Sequence, residues 1–169
     1  PTMTDITISN NNMAARDGGG MYLYNSDPTM TITTISNNTA TYDGGGMYLN
    51  NSNPILTQMI INGNETNTKS GGGMSLISSN PTLIDITLSN NTTALTGGGM
   101  YLYNSNPQMT DVTISNNTAT YDGGGMFLNS SNPTMTTIII SNNTATSNGG
   151  GMFLYNSNPT TVINVTITE

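Results

Sequence analysis

Asp85 and Asp111 hold the same place in two successive stretches of similar sequence. Two carboxyl groups about 5 Å apart are the arrangement of a retaining glycosidase, one acting as acid and the other as nucleophile. Little around them supports that chemistry. The chain has no His and no Cys, and its basic residues are Arg16 and Lys69 alone, so no nucleophile–base triad can be assembled. An acidic polysaccharide would need cationic partners, and neither basic residue falls nearby in the repeat. The same register elsewhere holds Asp5, Ile32, Gln58 and Thr137. That is the pattern of a solvated outward position, and no catalytic residue is assigned.

Asp17, Asp43 and Asp122 precede runs of glycine, where Ser70, Thr96 and Asn148 stand in other units. Calcium requires several oxygens converging on one point. The calcium-binding Gly-Gly-x-Gly-x-Asp nonapeptide is not matched, because Met follows the third Gly. These acids are expected in turns or caps, and neither a metal nor a cofactor is expected.

The elements that would carry these residues follow from a repeat. Pro1, Pro28, Pro54, Pro81, Pro107, Pro133 and Pro159 are spaced 27, 26, 27, 26, 26 and 26 residues apart. The units are 1–27, 28–53, 54–80, 81–106, 107–132 and 133–158, with a partial unit 159–169 that carries an extra Thr after Pro159. Both long units hold their extra residue between an Asn-rich stretch and the glycines, as a tolerant loop would. A fixed period of this size marks an architecture in which one unit cannot bury its own apolar face.

Each unit reads as extended chain. Val112 and Ile114 flank Thr113, and Met126 and Leu128 flank Phe127. This period-two alternation, rich in Ile and Thr, predicts strands. Gly triplets, Asn pairs and prolines in every unit oppose helix. Two clear strands and a third short one near Thr118–Tyr121 fit one coil of a parallel β-helix, with coils about 4.8 Å apart. Propeller blades need about 40 residues and four strands each. The fold is therefore expected to be all-β, a single β-solenoid domain of about six and a half coils, right-handed by the chirality of parallel crossovers.

In that frame the glycines turn a corner, and Met21, Met47, Met74, Met100, Met126 and Met152 point inward with the Leu two residues on. Six of the 12 Met occupy this one position, where an unbranched thioether fills irregular gaps. Asn11, Asn38, Asn64, Asn91, Asn117 and Asn143 share a register three residues after an inward apolar side chain. They are expected to form an internal ladder holding a turn, since Asn tolerates left-handed backbone and its amide can bond to the amide one coil away.

Two stripes are expected to face outward. Tyr22, Tyr48, Tyr101, Phe127 and Phe153 share one register, broken by Ser75, and Tyr24, Tyr103 and Tyr155 share another. Stacked rings stabilise such a ladder, and the flank could also serve lateral packing, receptor contact or sugar stacking. Thr2/Thr4, Thr29/Thr31 and Thr134/Thr136 form a Thr array of the kind that orders water or ice. Ile55, Ile84 and Gln108 interrupt it, and Thr is also a good strand former.

Charged residues make up 7% of the chain and the net charge is −7. No basic surface for nucleic acid or anionic lipid can be built from one Arg and one Lys. No run approaches the roughly 18 apolar residues of a membrane helix. Without Cys there is no disulfide framework and no thiolate metal site. Asn37, Asn64, Asn90, Asn116 and Asn142 begin Asn-x-Thr acceptors for glycosylation; several adjoin the Asn ladder, where a glycan would not fit.

The pairing of Gly19-Gly20-Met21 with Ile8-Ser9-Asn10-Asn11, repeated in every full unit, resembles the repeats of the chlamydial polymorphic outer-membrane protein family. Those repeats carry Gly-Gly-Ala-Ile-like and Phe-x-x-Asn motifs. Here Ile or Leu replaces Phe and Gly replaces Ala. The resemblance covers nearly the whole chain and implies a right-handed parallel β-helix in a secreted, surface-displayed, adhesin-like protein.

The chain opens on Pro1 at a repeat boundary and ends partway through a strand, so it is expected to be a mature or excised piece. Its expected role is a non-enzymatic structural element at the cell surface or outside the cell, a segment of a fibre or adhesin stalk associating head to tail through open coils. The alternative is a binding module whose aromatic flank meets host surface or polysaccharide.

Overall fold

Three runs of each of units 2–6 form strands, and a left-handed corner ends each of the two longer ones. The computed structural model describes residues 1–11 and 14–168. Eight-residue strands at Thr2–Ser9, Thr29–Ser36, Ile55–Asn62, Thr82–Ser89, Gln108–Ser115, Thr134–Ser141 and Thr161–Thr168 pair in parallel in chain order, making a long sheet. Four-residue strands beginning at Met21, Met47, Met74, Met100, Met126 and Met152 make a second, the Met sheet. Two-residue strands at Thr39–Ala40, Glu65–Thr66, Thr92–Thr93, Thr118–Ala119 and Thr144–Ala145 make a third. Every strand pairs with its counterpart one unit away, so the chain winds as an all-β parallel solenoid, as the repeat predicts.

The eight-residue strands are not single straight strands. Their fourth residue (Asp5, Ile32, Gln58, Asp85, Asp111, Thr137 or Asn164) has φ between 51° and 58°. The ladder steps over it: Thr110 pairs with Thr136 and Val112 with Ile138, while Asp111 and Thr137 pair with nothing. The expected plain alternation thus becomes two half-strands meeting at a left-handed residue.

The core is a set of columns. Met47, Leu49, Met74, Leu76, Met100, Leu102, Met126 and Leu128 are fully buried from the Met sheet. The long sheet faces them with Met30, Leu56, Leu83 and Met109, then Met59, Ile86, Val112 and Ile138, then Ile35, Ile61, Leu88, Ile114 and Ile140. Identical side chains stacked at one coil spacing exclude water over a continuous surface, and the burial drives the winding.

Each glycine triplet combines two requirements. Its first member is left-handed, φ 68° at Gly44, where any Cβ would be strained. Its second lies against the next coil: a Cβ on Gly45 would stand 2.4 Å from the carbonyl oxygens of both Glu65 and Gly72.

The extra residue of unit 3 falls between Thr66 and Ser70. Thr66 pairs 26 residues back with Ala40, whereas the Ser70 amide reaches 27 residues back to Asp43. The bulged segment carries Lys69. At the far end Thr134 pairs with Thr161, so Thr160 is the residue that the last unit adds.

Candidate functional site

The Tyr22 register lies on the outer side of the Met sheet, but its middle is not an exposed flank. Tyr22 is 47% exposed, whereas Tyr48 is 8% and Phe127 9% exposed; Tyr101 and Phe153 are intermediate. Of the expected outward binding or packing stripe, the exposure of its middle is corrected, while its rings do pack on one another. The rings cover one another, with centroids 5.0 Å apart for Tyr22 and Tyr48, 5.6 Å for Tyr101 and Phe127, and 5.2 Å for Phe127 and Phe153. The segment before the glycines also lies close by. Burial, then the charges of Asp17 and Asp43, push the Tyr48 hydroxyl up to about 12. Burial also raises Tyr101. Tyr24, Tyr103 and Tyr155 are the exposed aromatic column.

The column breaks at Ser75, which is fully buried and whose Oγ meets no hydrogen-bond partner among the described residues. A separate cavity of about 360 Å³ is lined by Asp43, Lys69, Ser70, Ile77, Leu95, Tyr101 and Tyr103, and Ser75 is not part of its wall. Lys69 Nζ lies 3.9 Å from Asp43 Oδ2 and 4.9 Å from the centre of the Tyr42 ring. Burial raises the Asp43 pKa, against the lowering effects of the Ser70 amide and the Lys69 charge.

The bulge that presents Lys69 is tied from below. Thr66 and Thr93 replace the alanines of other coils (Ala40, Ala119 and Ala145) in one buried column. Their hydroxyls are 2.7 Å apart and share a hydrogen bond, and both lie within reach of the Lys69 carbonyl. Ser75, Ile77, Leu95, Thr66, Thr93 and the extra residue are all departures from the repeat. Of these, Ile77 and Leu95 line the cavity with Lys69, and Thr66 and Thr93 meet the Lys69 carbonyl.

Elsewhere the polar residues bond along the solenoid. Asn38, Asn64, Asn91 and Asn117 are buried; each Nδ2 donates both to the next Asn Oδ1 and to a carbonyl of the previous coil. The left-handed residue at this corner is the one before the ladder Asn, as at Asn37, Asn90 and Asn116, which corrects only the expectation that the ladder Asn itself takes left-handed backbone. Asn11 is exposed at the first coil and Asn143 half-buried at the sixth.

A second, unanticipated ladder runs through Ser52, Ser79, Ser105 and Ser131. Each buried hydroxyl accepts the amide of the preceding Ser and donates to the carbonyl two residues back. The recurring Ser-Asn-Pro or Ser-Asp-Pro was its signal in the sequence. The profile of a family described as the right-handed β-helix region matches residues 2–167. The chain belongs to that family.

No curated protein and no solved structure matches this right-handed β-helix. On it, Asp85 and Asp111 are exposed corner residues with φ 56° and 54°. Their carboxylates decorate a bend, and Asp85 also lines a shallow pocket with Gln58, Met59, Ile60 and Thr87. Asp17, Asp43 and Asp122 accept the backbone amides of Asp43, Ser70 and Asn148 in the following coil, so they act along the β-helix as turn acceptors. No three acidic, His or Cys side chains gather among the described residues. Of the glycosylation acceptors, Asn64 is buried, whereas Asn37, Asn90, Asn116 and Asn142 are exposed at left-handed corners.

Proposed function

We propose that this β-helix is a non-enzymatic structural rod, a segment of an extracellular or cell-surface fibre or adhesin stalk. The observation that carries the reading is the Asn ladder. From Asn38 to Asn117 each rung bonds to the coil before and the coil after, and Asn143 bonds to the coil before. Side-chain bonds directed along the axis favour a stiff element that spans distance. The resemblance to polymorphic outer-membrane protein repeats supports display at a surface, and a deficit of basic residues argues against nucleic acid as a partner.

Head-to-tail self-association belongs to the same reading, since the strands of an open coil can pair with those of a second copy.

Electron microscopy of concentrated protein tests this. Filaments with an axial repeat of about seven strand spacings, roughly 34 Å, are expected if copies stack. Discrete short rods at all concentrations would remove self-association from the proposal. An adhesin role, favoured by the exposed Tyr24, Tyr103 and Tyr155 column, predicts that replacing all three with Ser abolishes attachment to host cells or polysaccharide and leaves the circular dichroism spectrum unchanged.

A further inference from the structure

One cavity of the solenoid takes its walls from three coils. Asp43 comes from unit 2, Lys69 and Ile77 from unit 3, and Leu95, Tyr101 and Tyr103 from unit 4, bordering about 360 Å³. Aliphatic side chains make the room. Ile77 pairs in register with Tyr103 of the next coil. Leu95 holds the place that Tyr121 takes one coil on, where the Tyr121 amide donates to the Leu95 carbonyl. Two positions that carry rings in a neighbouring coil are thus smaller here.

The cavity combines apolar surface with one charge of each sign, the usual make-up of a small-ligand site. Tyr103 and Leu95 are exposed and Tyr101 is half-buried, so their surfaces are open to a ligand. Asp43 Oδ1 accepts the Ser70 amide at 3.0 Å, which leaves Oδ2 to face Lys69 Nζ at 3.9 Å. A direct bond between such groups is about 2.7–2.9 Å. The pair is therefore looser than a hydrogen bond, and both groups keep bonding capacity for a third partner. The Thr66 and Thr93 hydroxyls within reach of the Lys69 carbonyl hold the backbone that carries the ammonium.

We propose that this cavity binds a neutral sugar residue whose hydroxyls are all equatorial, a glucose-configured pyranose, with its C–H faces against Tyr101, Tyr103 and Leu95 and two adjacent hydroxyls at Asp43 and Lys69. Equatorial hydroxyls leave both faces of the ring as C–H surface, which the negative face of a tyrosine attracts. One hydroxyl donates to the carboxylate while its neighbour accepts from the ammonium. An acidic sugar would set a further anion beside Asp43 in a chain of net charge −7, and a cationic ligand would meet Lys69. As a role at a surface the inference rests on the adhesin reading, whose site and ligand class it names.

Titration of the whole chain with methyl β-D-glucopyranoside, followed by amide chemical shifts, tests the site. Saturable one-to-one binding is expected, with the largest shifts at residues that line the cavity. Methyl β-D-galactopyranoside, whose axial hydroxyl stands on one ring face, is expected to bind several-fold more weakly through one lost aromatic contact. Lys69→Met keeps an unbranched side chain and removes the ammonium; about ten-fold weaker binding is expected, the worth of a hydrogen bond to a charged group. No saturable binding, equal affinity for the galactoside, shifts confined to other coils, or undiminished binding to a folded Lys69→Met variant would each overturn the proposal. Should that variant not fold, the galactoside comparison on the unmodified chain decides. Attachment of the unmodified chain to host cells without glucoside binding would overturn the site and leave the adhesin reading standing. Glucoside binding without attachment would uphold the site and remove that reading.

Discussion

The side-chain amide of Asn64 donates to Oδ1 of Asn91 at 3.0 Å, while the Asn64 backbone amide reaches the same oxygen at 2.9 Å. One buried acceptor therefore satisfies two donors of the neighbouring coil. Asn91→Ala strands both, together with the Ile61 carbonyl that the Asn91 amide serves. Each buried group left unpaired costs about 1–3 kcal/mol, so a loss of at least 3 kcal/mol is expected. Hydrogen exchange at the Asn64 amide checks it directly, because coils open locally; unchanged protection there would refute the ladder's role.

Thr33 occupies a core column otherwise filled by Ile6, Met59, Ile86, Val112 and Ile138, and its Oγ1 is buried without a partner among the described residues. Thr33→Val keeps the shape and removes the orphan hydroxyl. Stabilisation of about 1–2 kcal/mol is expected. A urea denaturation midpoint that moves downward would contradict the packing described.

Ile32 sits at the mid-strand corner with φ 51° and is 53% exposed. A β-branched residue is strained in left-handed backbone. Ile32→Asn relieves the strain without emptying the core, and stabilisation of about 1 kcal/mol is expected. The thermal midpoint reports the sign. Destabilisation would mean that the corner is not left-handed at this residue.

Asp43 carries a pKa raised above 3.8 by burial. Within the interval from 3.8 up to its folded value, the folded chain binds more protons than the unfolded one. Its carboxyl therefore favours folding most fully below that interval, and this contribution is lost as pH rises through it. Asp43→Asn is expected to gain stability relative to the unmodified chain as pH increases from about 3.8 toward neutrality. A stability difference that stays flat over this range in parallel urea titrations would rule out the linkage.

The columns of the core were legible in the sequence because stacking multiplies a weak signal. A single Gly-Gly-Gly-Met-Tyr-Leu run says little, but six at a near-constant period predict strands, inward Met and a parallel solenoid. The mid-strand corner also left a trace, since Met109 and Val112 face inward three residues apart while Val112 and Ile114 do so two apart. An even alternation would have kept the spacing at two. The Ser ladder was written in the residues before each proline, where a small polar side chain reads equally well as turn composition.

What the tertiary structure alone decided is which departures matter. The sequence determines that Ser75 interrupts an aromatic register, that Lys69 is the only lysine and that Thr66 and Thr93 stand where Ala is usual. It does not place them together, because they belong to different segments of units 3 and 4. Winding brings residues one period apart to adjacent coils, so Thr93 meets Thr66 and the Lys69 carbonyl, and Lys69 meets Asp43. The same winding buried Tyr48 and Phe127, which alternation alone puts on the outside. Alternation fixes which side of its own strand a residue occupies; what covers that side is set by chain arriving from elsewhere in the coil.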